Sequence, residues 1–265
     1  MKRIFALLSV ITMLFCLFTI CPSAETAKAY VTIADQNGKL VLAYEEITLS
    51  DTDNDGSLTV NDALYIAHQE HYKGGAENGY ASAETDFGLS LTKLWGVSDI
   101  SFGYYHNNAS CMSLKDPVED GSHITAFAYT DTETFSDTYT FFDIYTISAK
   151  VNEEIDLTLL GVGFNEKFET VISPIENAVI TVNGESTEYK TNSDGKVTVK
   201  VDKGGEHIIS AKSESQTIVA PVCKASITGE EKANKNNGVI ITICVIAVIA
   251  LAGAILIIRK KGNEK

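Results

Sequence analysis

Asp51-Thr-Asp53-Asn-Asp55-Gly56-Ser57-Leu58-Thr59-Val-Asn-Asp62 is the stretch on which the architecture of the first half of the chain turns. Oxygen-bearing side chains stand at its first, third, fifth, ninth and twelfth positions, and the Ser57 carbonyl falls at the seventh. Calcium is a hard cation that takes oxygen ligands from a loop of this length in this alternation. Asp51, Asp53 and Asp55 are the expected carboxylate ligands. Ser57 offers its carbonyl, Thr59 a hydroxyl or a bound water, and Asp62 closes the shell. Gly56 suits the sharp turn that such a loop makes at its sixth position, where a side chain would obstruct it. Leu58 is apolar where the loop must be pinned to a core. Without a cation, four carboxylates this close repel one another unless water solvates them well.

The spacing matches the EF-hand calcium loop through its first nine positions, with Asp in place of Glu at the twelfth. The flanks differ from helix–loop–helix. Val41-Leu-Ala-Tyr-Glu-Glu-Ile-Thr-Leu49 alternates like a strand, while Val60, Ala63, Leu64, Ala67 and His71 fall on one helical stripe. A strand therefore enters the loop and a helix leaves it, ending near Lys73-Gly74-Gly75. In this the stretch resembles a single dockerin-type repeat, where Asp also fills the twelfth position and the entering helix is missing. Dockerins use two repeats to bind cohesin. One is found here, so the resemblance implies calcium and not cohesin. The cation is expected to hold the helix against its sheet.

The two ends give an address. Met1-Lys2-Arg3, an apolar run from Ile4 to Ile20 and then Cys21-Pro22-Ser23-Ala24 describe a secretory signal peptide within residues 1–29, cleaved after Ala24 or Ala29. Gly238 to Ile258 is uncharged and almost wholly apolar, and Arg259-Lys260-Lys261 follows. At about 1.5 Å per residue this run spans a hydrocarbon core of roughly 30 Å. The basic flank sets residues 259–265 in the cytoplasm. The expected topology is a single pass through the cell membrane, ectodomain outside.

The chain carries a formal net charge of −14, and the basic residues at its two ends leave the ectodomain more acidic still. Nucleic acid and anionic lipid are poor partners for such a surface. Of five cysteines, Cys111 and Cys223 lie in the expected ectodomain. They form either one disulfide or two buried thiols.

Between the ends the chain reads as two domains. From residue 30 to 143 the pattern is mostly strand with one helix. Tyr30–Ala34 and Leu40–Tyr44 flank Asp35-Gln-Asn37-Gly38, a hairpin signal. Leu89–Leu94, Phe102–Tyr105 and Ile124–Tyr129 follow as strands. Gly103-Tyr104-Tyr105-His106-Asn107-Asn108-Ala109-Ser110, then Leu114-Lys-Asp and Val118-Glu-Asp120-Gly121-Ser-His-Ile124, is similar to the transcobalamin-like C-terminal domain of bacterial surface proteins. That resemblance implies a β-grasp-like fold of strands packed on a helix, with the calcium loop at the junction of second strand and helix. It brings no cobalamin-ligand motif.

Residues 144–228 carry no helical signal. Ile155–Leu160, Ala178–Val182, Val197–Val201, His207–Ala211 and Thr217–Val222 read as strands, with turns at Asn183-Gly184, Asp194-Gly195 and Gly204-Gly205. Thr191-Asn-Ser-Asp194-Gly195-Lys-Val-Thr-Val199 and Gly205-Glu-His-Ile-Ile-Ser-Ala211 resemble bacterial immunoglobulin-like surface modules, which implies a β-sandwich used as a spacer or for adhesion. Residues 229–237 form a polar linker to the span at 238–258.

No catalytic set emerges. His68 and His71 flank Glu70 in an order that is not HExxH, and a hydrogen-bonded core histidine is expected at His71. Asp86-Phe-Gly88 lacks the glycine-rich and catalytic loops that would make it a kinase motif. The fold class expected is mainly β: an α+β domain, a β-sandwich and one transmembrane helix. The function expected is a non-catalytic, calcium-binding surface module for adhesion or ligand binding, with a small molecule, glycan or protein as extracellular partner. Capture of a corrinoid-like, haem-like or glycan ligand for uptake, or a calcium-stiffened stalk, are the alternatives.

Overall fold

The structure is a computed structural model that describes residues 27–167 and 169–229. It is mainly β and divides into two compact units, one ending at Tyr129 and the other beginning at Thr130. The expected leader and the expected membrane span at 238–258 lie outside the described residues. Among the described residues, no helix is long and apolar enough to cross a membrane.

In the first unit, β1 (Lys28–Ala34) and β2 (Leu40–Thr48) form an antiparallel hairpin. Its turn closes as the Asn-Gly pair predicts: Gly38 takes φ 71°, and Asp35 Oδ1 accepts the N–H groups of Asn37 and Lys39. Then come α1 (Val60–His71), the short α2 (Gly75–Gly79), β3 (Ala81–Thr85), β4 (Gly88–Leu94) and β5 (Val97–Ser98). β6 (Phe102–His106), β7 (Ala109–Ser110) and β8 (Ser122–Ala128) complete the unit. The main sheet runs β2-β1-β8-β6-β7, with β1 parallel to β8 and the other neighbours antiparallel. β3, β4 and β5 make a separate small sheet.

α1 packs where its apolar residues require. Val60, Ala63, Leu64 and Ala67 are fully buried in one core with Ala29, Val31 and Ile33 of β1 and Ile124 and Ala126 of β8. Burying a side chain such as Leu64 contributes about 1.5–3 kcal/mol, so this face rather than helix propensity holds α1 in place. The helix's phase differs from the stripe read in the sequence. His68 is fully buried and His71 is exposed, because the buried arc runs through Ile66, Ala67 and His68 before α1 ends.

The second unit comprises β9 (Tyr139–Phe142), β10 (Thr146–Lys150), β11 (Ile155–Phe164), β12 (Thr170–Pro174) and β13 (Val179–Val182). β14 (Glu185–Lys190), β15 (Lys196–Val199), β16 (Gly205–Lys212) and β17 (Cys223–Thr228) follow. One sheet runs β10-β17-β16-β13-β14. In the other, β11 pairs with β12, β15 and β9. Phe142, Ile155, Leu157, Leu159, Ile180 and Ile209 fill the core. β9 pairs with β11, so residues 130–143 belong to this unit and not, as the sequence suggested, to the first.

Thr217–Val222, expected as a strand, is irregular apart from one bridge between Ile218 and Thr138, and the strand starts instead at Cys223. Pro221 is the cause, since it lacks an N–H for a ladder and restricts the residue before it.

Candidate metal centre

The loop begins three residues after β2 ends and runs directly into α1. Asn54 and Gly56 both adopt positive φ, 60° and 90°, and these two left-handed residues fold the acidic side chains inward over one another. No heavy atom lies within 4 Å of a Cβ built on Gly56, so the glycine is required there by backbone conformation and not by space. Carboxylate oxygens of Asp51, Asp53 and Asp55 converge to within 4.8 Å of one another. Backbone donors hold them. Asp55 N–H reaches Asp51 Oδ1 at 3.2 Å and Asp53 Oδ1 at 3.3 Å, Gly56 N–H reaches Asp51 Oδ2 at 2.9 Å, and Ser57 N–H reaches Asp55 Oδ1 at 2.8 Å.

Electrostatics agree with the geometry. Desolvation within the loop, followed by the charges of Asp62, Asp55 and Asp51, holds the Asp53 carboxyl above its ordinary pKa. This repulsion is what a divalent cation would relieve, and an all-oxygen set suits calcium rather than zinc. The donor set therefore fits the ion that the spacing implies.

Asp62 is placed differently from the other three. It is fully buried, and each of its oxygens already takes two donors. Oδ1 accepts Thr52 N–H at 2.7 Å and the Thr52 hydroxyl at 2.6 Å. Oδ2 accepts Thr59 N–H at 3.0 Å and the Thr59 hydroxyl at 2.7 Å. Burial raises its pKa, but these hydrogen bonds outweigh that and leave the carboxyl below its ordinary value. Thr59 is the N-cap of α1 and Asp62 its third residue, a reciprocal capping box. The structure thus brings Asp51, Asp53 and Asp55 together, exposes Ser57 on the same loop, and commits Thr59 and Asp62 to the helix start.

The rest of the helix start is closed by a segment that the loop motif did not reveal. Val60 N–H donates to Asp116 O at 3.1 Å and Asn61 N–H to Leu114 O at 2.9 Å. Ala63 N–H reaches Thr59 O, while Val118 N–H comes back to Leu58 O at 2.9 Å. All four leading N–H groups of α1 are therefore satisfied by protein, the Asp62 N–H by the Thr59 hydroxyl. The cation is not what allows this helix to begin. Lys115, on the same segment, bridges Glu84 at 2.5 Å, and its pKa is raised by Glu84 first and then by Asp55 and Asp53.

The histidine pair forms no metal site. His68 Nδ1 lies 2.6 Å from Leu64 O, and its Nε2 accepts the Trp95 N–H at 3.0 Å. Both ring nitrogens are engaged, and burial pushes the imidazole pKa down to about 4. Cys111 and Cys223 are free, each buried in its own unit's core, with burial raising both thiols to about 12.

No protein-family model matches the chain, and no curated protein matches it. Among solved structures it is similar to the N-terminal four Ig domains of Dscam1 isoforms 9.44, 7.44 and 4.4. Identity is 9% in each case, with TM-scores of 0.22, 0.23 and 0.23. The matches cover 77–78% of this chain and only 44–45% of those chains. A likeness this slight carries no argument about function.

Proposed function

We propose that the chain is a membrane-anchored, calcium-binding protein of the bacterial cell surface whose two β-rich units serve as a non-catalytic binding or adhesion module. The observation that carries the calcium assignment is the convergence of the Asp51, Asp53 and Asp55 carboxylates to within 4.8 Å on a loop of calcium-binding spacing. Those three residues and the Ser57 carbonyl form the core of the shell, and water supplies the remainder. Thr59 lines the site from the helix cap. Asp62 reaches the ion only by releasing Thr52 donors.

Three further features support the surface assignment. The order β2-β1-β8-β6, with β1 parallel to β8 and α1 after β2, is what a β-grasp-like unit requires. Two β-sheets on one core in the second unit favour an immunoglobulin-like sandwich. The signal-like start and the apolar run at 238–258 supply export and anchorage.

Calorimetric titration of the full chain with calcium, and separately with magnesium, tests the proposal. Calcium should give a binding heat at one site, and magnesium little, since it demands octahedral geometry and keeps its waters. Absence of a calcium heat at millimolar ion would remove the central assignment.

A further inference from the structure

Asn61, the second residue of α1, carries an amide that is buried and yet reaches the acidic loop. The residue is 8% exposed, and its side-chain nitrogen donates to Asp53 Oδ2 at 3.3 Å. The amide oxygen is occupied from the other side. Oδ1 accepts the Tyr80 hydroxyl at 2.7 Å and the Ser82 hydroxyl at 2.9 Å. Tyr80 follows α2, and Ser82 lies in β3. An amide taken out of water is costly unless its groups are paired. Here both lone pairs of the oxygen are used, and the nitrogen is left to face the loop. Turning the amide over would set its oxygen against a carboxylate oxygen, acceptor against acceptor, so the arrangement has one sense only.

The other oxygen of Asp53 joins the carboxylate cluster. The Asp55 N–H is shared between Asp53 Oδ1 and Asp51 Oδ1, which sets those two oxygens side by side. The Asp53 carboxylate is thus divided, with Oδ1 among the other acids and Oδ2 held by Asn61. Asp53 is exposed, and repulsion from its neighbours favours rotation of its carboxylate out into water. The Asn61 amide opposes that rotation.

We infer, resting on the calcium reading above, that Asn61 is the positioning residue of the site and that the Tyr80 and Ser82 hydroxyls act on calcium affinity through it. Asn61 does not ligate the ion with this nitrogen, since an amide N–H group is a donor only. Its part is to hold Asp53 in place before the ion arrives. Residue 61 suits that part as asparagine alone: aspartate would set like charge against Asp53, and leucine would offer no donor. Groups that orient metal ligands are typically worth about ten- to a hundredfold in affinity. The calcium loop is thereby tied to β3, a strand that supplies none of its ligands.

Calorimetric calcium titration of the full chain in mild detergent tests this. Asn61→Ala should weaken calcium binding by at least about tenfold relative to wild type. Ser82→Ala, at a half-buried position, should keep the fold and weaken binding about two- to tenfold, the worth of one neutral hydrogen bond. Combined with Asn61→Ala, the serine substitution should add nothing, because its effect passes through an amide that is no longer there. A merely structural role would lower the melting temperature of the chelated protein and leave the calcium dissociation constant alone. Unchanged affinity in Asn61→Ala or, if that variant does not fold, in Ser82→Ala would overturn the inference and leave the calcium reading intact. Losses that add in full would do the same. A wild-type chain with no calcium heat at millimolar ion would remove the calcium reading, and the role of Asn61 with it.

Discussion

Thr52 gives both its backbone N–H and its hydroxyl to one oxygen of Asp62, at 2.7 and 2.6 Å, across ten residues of loop. That relationship staples the entry of the acidic loop to the first turn of the helix it leads into. Asp62 is therefore a structural residue before any ion arrives.

It follows that Asp62→Ala should destabilise the first unit by about 1–3 kcal/mol, the cost of a lost cap and of stranded donors. Denaturant melts should show that loss undiminished in the presence of a chelator. A loss that disappears once calcium is removed would mean that Asp62 acts chiefly as a ligand.

Asp51→Asn should behave in the opposite way. At a hundredfold excess of calcium over its dissociation constant, binding stabilises the folded state by about 2.7 kcal/mol. The substitution should abolish that increment and leave the chelated protein nearly unchanged. Chelation should lower the first unit's melting temperature and not the second's, since the acidic cluster lies before Tyr129. Equal shifts in both units, or none in either, would remove calcium from the account.

His68 sets a pH dependence. Its Nε2 accepts an N–H from Trp95, so a proton there would set donor against donor. The folded pKa, about 4, lies below the ordinary 6.5, so the unfolded chain binds the proton more readily. This contribution to stability is complete above pH 6.5 and declines as pH falls toward about 4. His123, buried and depressed to about 3, adds in the same direction. Ring-nitrogen chemical shifts should show His68 neutral in the folded protein at pH 5.5. Titration near 6.5 would contradict the buried arrangement.

Neither Cys111 nor Cys223 should react with an aqueous thiol reagent at neutral pH until its unit opens, because both of these thiols are buried and hard to ionise. Mass spectrometry after alkylation, with and without reductant, checks this. Modification of Cys111 or Cys223 in the native chain, or a mass change at either that requires reductant, would refute it.

Much of the fold could be read from local chemistry. The Asp35–Gly38 turn, the strand into the acidic loop and the helix out of it follow from turn residues and from periods of two and 3.6. The role of Asp62 could not be separated, because the twelfth position of the loop is also the third of the helix, and Thr59-x-x-Asp62 satisfies both patterns. The phase of α1 was ambiguous for a related reason. His68 and His71 both sit on the rim of the apolar arc, and only the approach of Trp95 decides which is buried. β12 left little trace, since an exposed strand ending in proline has no alternation to detect. The carbonyls of Leu114 and Asp116 that close the helix start come from more than fifty residues downstream, and backbone groups leave no mark on a sequence.

The two thiols have a consequence for maturation. If the chain is exported through an oxidising compartment, as proposed above, it presents Cys111 and Cys223 together only while both units are open. Whichever unit folds first withdraws its sulfur from exchange chemistry and leaves the other without a partner in the same chain. How soon the first unit closes, and not which one it is, thus decides whether Cys111 and Cys223 can pair, and a chain that finishes either half promptly keeps these two sulfurs reduced.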